Sequence, residues 1–403
     1  MSGTKYWVWL SERSGLATHI KLRLLEHFGT PENIYYAETE EYLLVEGMTQ
    51  KLAAPLADKS TSEADRILGD CERLDIRILT MQDADYPVRL RNISAPPCLL
   101  YVKGHLPAID EEVAIAMVGT RGATPYGKET AERLAYEMSK QGALIVSGGA
   151  YGIDTAAHRG ALRAGAKTVA LLGCGIDVVY PRGNERLYKD IAASGALASE
   201  YPPGTPAVGS HFPVRNRIIS GLCLATVVVE APERSGALIT ARTALEQGRD
   251  VFAVPGAINA PESRGCNKLI AEGEAALLTD SRSMLWEYEA QYPHKLHCGY
   301  VEPPRTLGYQ ARQGEAAAKA AVREEREKLP TLDVRAGQTS LTDDQVRIVK
   351  KLKEGELQVD DLIEAVELPT RRVLSALTVL EIEGHVAQSG GKRFSLNAEL
   401  VED

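Results

Sequence analysis

The chain has 403 residues, 44% hydrophobic and 25% charged, ordinary proportions for a protein that buries a sizeable core. Its 55 acidic against 46 basic side chains leave a net charge of −9, which argues against a general nucleic-acid coat but leaves room for a local basic groove. Six scattered cysteines without a CxxC pair, no charged-then-apolar leader and no apolar run of spanning length predict a cytoplasmic protein, without a disulfide framework or a membrane partner.

Residues 1–75 read as short helices. Leu16, Ile20, Leu24 and Phe28 share one face, and Gly47 breaks EEYLLVEGMTQKLAAPL into two helical pieces. Helix, glycine turn, helix resembles a helix-hairpin-helix or sterile-alpha-motif module. Glu40, Glu41 and Glu46 crowd the turn, which favours a packing or docking role over contact with a DNA backbone. Ser62 to Asp75 predicts one more helix, and Ile76–Thr80 and Cys98–Lys103 predict strands bracketing the turns at Asp85-Tyr86-Pro87 and Pro96-Pro97.

From Ala114 the pattern becomes strand, glycine turn, helix, repeated. Ala114–Val118 is a five-residue apolar run that stops at Gly119-Thr120-Arg121-Gly122, and Pro125 suits the first turn of a helix. Leu144–Val146 resumes as a strand ending at Ser147-Gly148-Gly149. Further strands end near Leu172, Ser199, Val229 and Val254, with helices starting near Asp154, Asn184, Pro213, Gly236 and Ser263. This alternation predicts an α/β fold, a Rossmann-like doubly wound parallel sheet spanning 76–292. Residues 293–340 lose periodicity and read as a linker. His294, His297 and Cys298 lack a second ligand pair at zinc-like spacing, so no metal is assigned. Residues 341–403 predict three helices and a two-stranded wing, a winged helix. Arg371, Arg372, Lys392 and Arg393 suit a duplex, whereas Glu381 and Glu383 suit a protein contact.

In such sheets ligands gather outside the carboxyl ends of the strands, where turn amides and helix N-termini favour an anion. Arg121, Arg182, Arg215, Arg217, Arg234, Arg264 and Lys268 all fall in or just after these turns. The phosphate-binding candidates are Gly119, Arg121, Ser147, Gly148, Gly149, Gly173, Arg182, Asn184, Arg217, Ser235, Gly236 and Lys268. For Arg215 and Arg217 the competing reading is an ion pair with Glu200 or Glu230, and for Ser235 an ordinary helix cap. Aromatics make up only 6% of the chain, so few stacking platforms are expected.

The turns lack both the GxGxxG spacing with its downstream acid and a Walker lysine, which disfavours dehydrogenases and nucleoside triphosphatases. Asp154 and His158 stand one helical turn apart; they suit a catalytic dyad or, more simply, a helix cap and a locally bonded histidine. No nucleophile adjoins Glu230, and neither an enzymatic activity nor a cofactor is assigned.

The stretches VGTRGATPYG, SGGAYGIDTAAHRGAL, LGCGIDVVYPRGNERL, FPVRNRIISGL, VVVEAPERSGALITARTALEQGRDVFAVPG and GCNKLIAEGE together resemble the DNA-processing protein A (DprA/Smf) family. The resemblance implies a cytoplasmic single-stranded-DNA-binding protein that protects incoming strands in natural transformation and loads RecA recombinase. It also implies a homodimer through the Rossmann-like domain and a DNA groove using the first-turn arginine and a basic residue after the YP turn, here Arg121 and Arg182. Two departures stand out. Arg182 replaces a frequent lysine, and Glu274 replaces an alanine in the LIAEGE segment beside Lys268. The alternative is a nucleotide-processing or nucleotide-sensing protein related to the lysine-decarboxylase-like phosphoribohydrolases. Their PGGxGT signature reads SGGAYGID here.

Overall fold

The computed structural model describes residues 2–298, 331–335, 341–389 and 393–401. Its contacts divide into two compact units, Met1–Leu307 and Gly308–Asp403. Most of the expected linker, together with Lys392, lies outside the described residues.

The first unit is built on nine strands: β1 (Arg77–Thr80), β2 (Leu99–Gly104), β3 (Ala114–Val118), β4 (Leu144–Ser147), β5 (Thr168–Leu172), β6 (Ala196–Ser199), β7 (Ala225–Val228), β8 (Asp250–Ala253) and β9 (Ala276–Leu277). They lie side by side in the order β1-β2-β6-β5-β4-β3-β7-β8-β9. From β6 to β9 every pairing is parallel, as the βα alternation predicts. The flanking β1 and β2 extend the sheet in the antiparallel sense. No long crossover helix separates those two strands, so parallel pairing between them is not favoured.

Chain order explains where a ligand can sit. Strands β3 to β6 step outward in one direction, and β7 then returns to pair with β3 on its other side. The connections therefore diverge at the carboxyl ends of β3 and β7, which opens a crevice there.

Successive residues of β3 serve opposite faces. Ala114, Ala116 and Val118 join one core with Ile218, Ile219 and Leu222 from α11 (His211–Leu222) and Leu238 and Ala241 from α12 (Gly236–Glu246). Ile115 and Met117 join another with Leu134 and Met138 from α8 (Pro125–Lys140) and Ile153 and Ala157 from α9 (Ile153–Arg163). Thr124 caps α8 by accepting the Gly127 N–H at 3.2 Å, and Pro125 follows at its first position.

The helices expected in residues 1–75 are present, but their apolar faces do not form a separate core. Trp9, Leu24, Ile34, Tyr42 and Ile67 pack in one cluster with Leu99 and Tyr101 of β2, Leu172 of β5 and Tyr188 and Ile191 of α10 (Glu185–Ser194). Gly47, the expected hairpin glycine, has φ +80°, and the Arg23 guanidinium donates to the neighbouring Glu46 carbonyl at 2.9 Å. The segment is thus a covering layer for one end of the sheet.

The second unit contains helices Asp343–Leu352, Val359–Val366 and Thr370–Ile382 and an antiparallel wing of Val386–Ser389 and Arg393–Leu396. Thr342 opens the first helix with a capping box to Gln345. Ile348, Leu362, Leu377, Leu380 and Phe394 close the core.

Candidate nucleic-acid interface

Three turns at the strand carboxyl ends interlock through their main chains. The Thr120 N–H donates to the Glu230 carbonyl at 2.7 Å, and the Ile153 N–H donates to the Thr120 carbonyl at 3.3 Å. At Gly119 a Cβ would strike Ile153 and the Glu230 carbonyl; at Gly152, with φ +78°, it would strike the Thr120 carbonyl. The Glu230 carboxylate is buried and accepts the Thr124 N–H at 2.8 Å and the Thr124 hydroxyl at 2.7 Å, tying the turn after β7 to the start of α8. Glu230 is thereby a brace between turns.

Two clefts open above this base. The first, about 360 Å³, lies at the β3/β7 divergence and is lined by Gly119, Thr120, Arg121, Asp154, Phe212, Arg234, Ser235 and Gly236 among others. The second, about 320 Å³, adjoins it and is lined by Arg121, Ala150, Tyr151, Tyr180, Pro181 and Arg182. Arg121 belongs to both. Its guanidinium lies 4.8 Å from the centre of the Phe212 ring, a cation–π contact that holds an exposed cation in place. Phe212 in turn leans on Tyr180, with ring centres 5.5 Å apart.

Arg121, Arg182 and Arg234 are exposed at these clefts, as expected of phosphate ligands. Ser235 half-faces the first cleft while capping α12, its hydroxyl accepting the Ala237 N–H at 3.3 Å. Gly236 beside it is open to solvent. Both expected uses of Ser235 are compatible with this position.

Other expected ligands are occupied within the protein. The Ser147 hydroxyl is fully buried and donates to the Met117 carbonyl at 2.6 Å. Gly148 and Gly149 are buried against Arg215 and Tyr188, respectively, and Gly173 lies under the Phe212 ring. The Asn184 amide donates to the Gly149 carbonyl at 3.0 Å and the Thr155 hydroxyl at 2.8 Å, bracing two turns. Arg217 donates to both Glu200 oxygens, at 2.7 and 2.6 Å, which is the ion-pair alternative for this residue. Lys268 is exposed and 3.7 Å from Glu272, and neither it nor Arg264 lines either cleft. The cationic rim is accordingly shorter than the seven-residue row suggested by the turns.

Arg215 is structural, as its competing reading had it, but through partners other than Glu200 or Glu230. Only 4% exposed, it donates to the Gly148 carbonyl at 2.8 Å and to the Leu171 carbonyl, so it supports the cleft floor from beneath. Burial pushes its pKa down and that of Asp154 up, while the attraction between the two opposes both shifts. Asp154 also accepts the Ala150 N–H at 3.3 Å. His158 turns away from it: its Nδ1 lies 2.8 Å from the Thr168 hydroxyl, which donates its single proton to the Ile145 carbonyl. The imidazole hydrogen therefore sits on Nδ1. Burial, reinforced by the Arg215 cation, pulls the His158 pKa down to about 3. Asp154 and His158 are two separate structural contacts.

Tyr151 and Tyr180 were not among the expected ligands. They are 50% and 42% exposed, so the scarcity of aromatics in the composition did not foretell their concentration at this rim. The available signal was position, since each stands beside a strand-end turn: GGAYG and VVYPRG.

A mostly parallel doubly wound sheet with arginines and glycine turns at its switch point defines a Rossmann-like α/β protein. The family described as DNA recombination-mediator protein A matches residues 77–289, and the DprA winged helix domain matches 335–392. Protein Smf from Synechocystis is 33% identical over 96% of this chain and 98% of its own length. DNA processing protein DprA from Streptococcus pneumoniae is 45% identical over 51% of this chain and 72% of its own length. The X-ray structure of the Streptococcus pneumoniae protein superposes with a TM-score of 0.63 at 36% identity, covering 70% of this chain and 97% of that one. The chain belongs to the DprA/Smf family of DNA-processing proteins.

Proposed function

We propose that this protein binds single-stranded DNA along the rim formed by the two clefts, in the cytoplasm, and delivers the coated strand to RecA recombinase during natural transformation. The observation that carries the reading is the position of Arg121, exposed on the wall shared by both clefts, with Arg182 and Arg234 beyond it on either side. Phosphates held by these cations would release counterions, so affinity falls as salt rises. The process is binding without bond chemistry, since Asp154, His158 and Glu230 are committed to structural contacts. The phosphoribohydrolase alternative is not favoured by the family match. Homodimerisation through the sheet-bearing unit would place two rims on one strand and raise avidity. RecA delivery and dimerisation rest on the family resemblance.

The test is a salt titration of the full chain against single- and double-stranded oligonucleotides, beside Arg121→Glu. Binding that prefers the single strand and is lost in the variant, with the circular dichroism spectrum preserved, supports the proposal. Undiminished binding by Arg121→Glu overturns it.

A further inference from the structure

We propose that the groove between the helices Val359–Val366 and Thr370–Ile382 and the antiparallel wing of the second unit receives a short basic amphipathic helix from a partner protein.

The groove encloses about 320 Å³. Its floor is apolar: Val359, Leu377 and Phe394 are buried there, while Ile363 and Leu374 stand on the walls. Leu374 leaves 46% of its surface exposed. The helix Thr370–Ile382 turns the stripe Thr370, Leu374, Leu377, Thr378 and Glu381 to the groove, a spacing that keeps one helical face on it. An exposed leucine above an apolar floor is contact surface.

Charge selects the partner. In a winged helix that reads a duplex, the second helix of the helix-turn-helix pair enters the major groove, and cations around it meet phosphates. Here Asp360 and Glu381 border the groove, Glu364 follows one helical turn after Asp360, and no cation lines it among the described residues. Arg372 donates to both Asp344 oxygens, each at 2.7 Å, so its charge is matched within the unit. Arg371 is exposed outside the lining. Arg393 precedes Phe394 on its strand and so points to the opposite face of the wing, whereas Gln388, the cross-strand partner of Phe394, shares the groove side. A phosphate backbone laid along this groove would meet carboxylates. Lysines and arginines would be attracted by the same groups. An apolar floor with an acidic border fits a helix that carries apolar anchors one turn apart and basic flanks. The stripe from Thr370 to Glu381 rises about 17 Å, enough for a partner segment of about three turns.

The experiment uses the full chain and two fluorescein-labelled peptides of identical composition, read by anisotropy at fixed salt. One is a lysine-rich helix with leucines on a single face; the other has the same residues scrambled. Wild type should favour the amphipathic peptide by roughly tenfold or more, from the apolar surface left open at Leu374. Leu374→Lys should bring the two affinities together, and Leu374→Met should keep them apart. Glu381→Lys should weaken the amphipathic peptide severalfold. All three changes fall on exposed positions, and melting curves matching wild type confirm that the unit is folded. The preference should persist in Arg121→Glu, which separates this groove from the rim of the first unit. Equal affinity for both peptides, binding of neither, or a preference that survives Leu374→Lys or vanishes in Arg121→Glu overturns the proposal. Duplex binding by wild type that Arg371→Glu and Arg393→Glu abolish would give the helix and wing to DNA and overturns it as well.

Discussion

His158 shows how much a single buried group contributes. With a pKa near 3 when folded, against about 6.5 for an unperturbed histidine, it stays neutral in the native state while the unfolded chain takes up a proton. Its contribution to stability is therefore complete above about pH 6.5 and declines as pH falls toward 3, reaching a loss of about 2 kcal/mol by pH 5. Urea denaturation at pH 7 and pH 5 should show that loss in wild type and a smaller one in His158→Gln. An equal loss in both would place the acid sensitivity elsewhere. Arg217 offers a second case. Replacing it with alanine leaves the half-buried Glu200 without the guanidinium nitrogen that both its oxygens share, and a destabilisation of about 3 kcal/mol is expected in the same assay. An Arg217→Ala protein as stable as wild type would return this residue to the list of free phosphate ligands.

At the scale of the element, the turns carry the constraint. Gly127 in the first turn of α8 faces the Glu230 side chain so closely that an added methyl would displace the carboxylate from Thr124. Gly127→Ala should therefore lower the melting temperature by several degrees and weaken oligonucleotide binding indirectly, by loosening the turn that carries Arg121. Unchanged stability would mean that Glu230 is not the tie described here. Much at this scale was readable in advance. Apolar runs of five and four residues ending at glycine fix β3 and β5, and Thr124-Pro125 announces α8 because local capping chemistry suffices. What no local pattern could tell was the fate of each arginine. Arg215 and Arg217 differ by two positions on α11, about 200° of helical rotation, so one enters the floor and the other meets Glu200. That outcome depends on how α11 is rolled against the sheet. Tyr151 escaped notice for the related reason that its neighbours Gly149 and Ile153 are buried while its own ring is not.

For the whole molecule, the net charge of −9 coexists with a short cationic rim, so binding should be tight only at low salt. Three exposed arginines at the clefts predict a slope of log affinity against log salt of about −2 for one rim. A slope near zero would exclude phosphate contacts as the source of affinity. The shared core of the N-terminal helices and the sheet makes a second prediction. Deleting residues 1–75 uncovers Leu99, Tyr101 and Leu172, and the shortened chain should aggregate on expression. A soluble, cooperatively melting product would show instead that the sheet stands without its cover.

The interlocked turns have a consequence beyond stability. Because amide-to-carbonyl ties among Thr120, Ile153 and Glu230 hold the three loops together, the spacing of the platform does not depend on which side chains project from it. Residues such as Tyr151, Arg182 and Arg234 can then be exchanged one at a time without remodelling their neighbours. Grip and selectivity can drift across descendants of this scaffold while the frame that presents them stays the same.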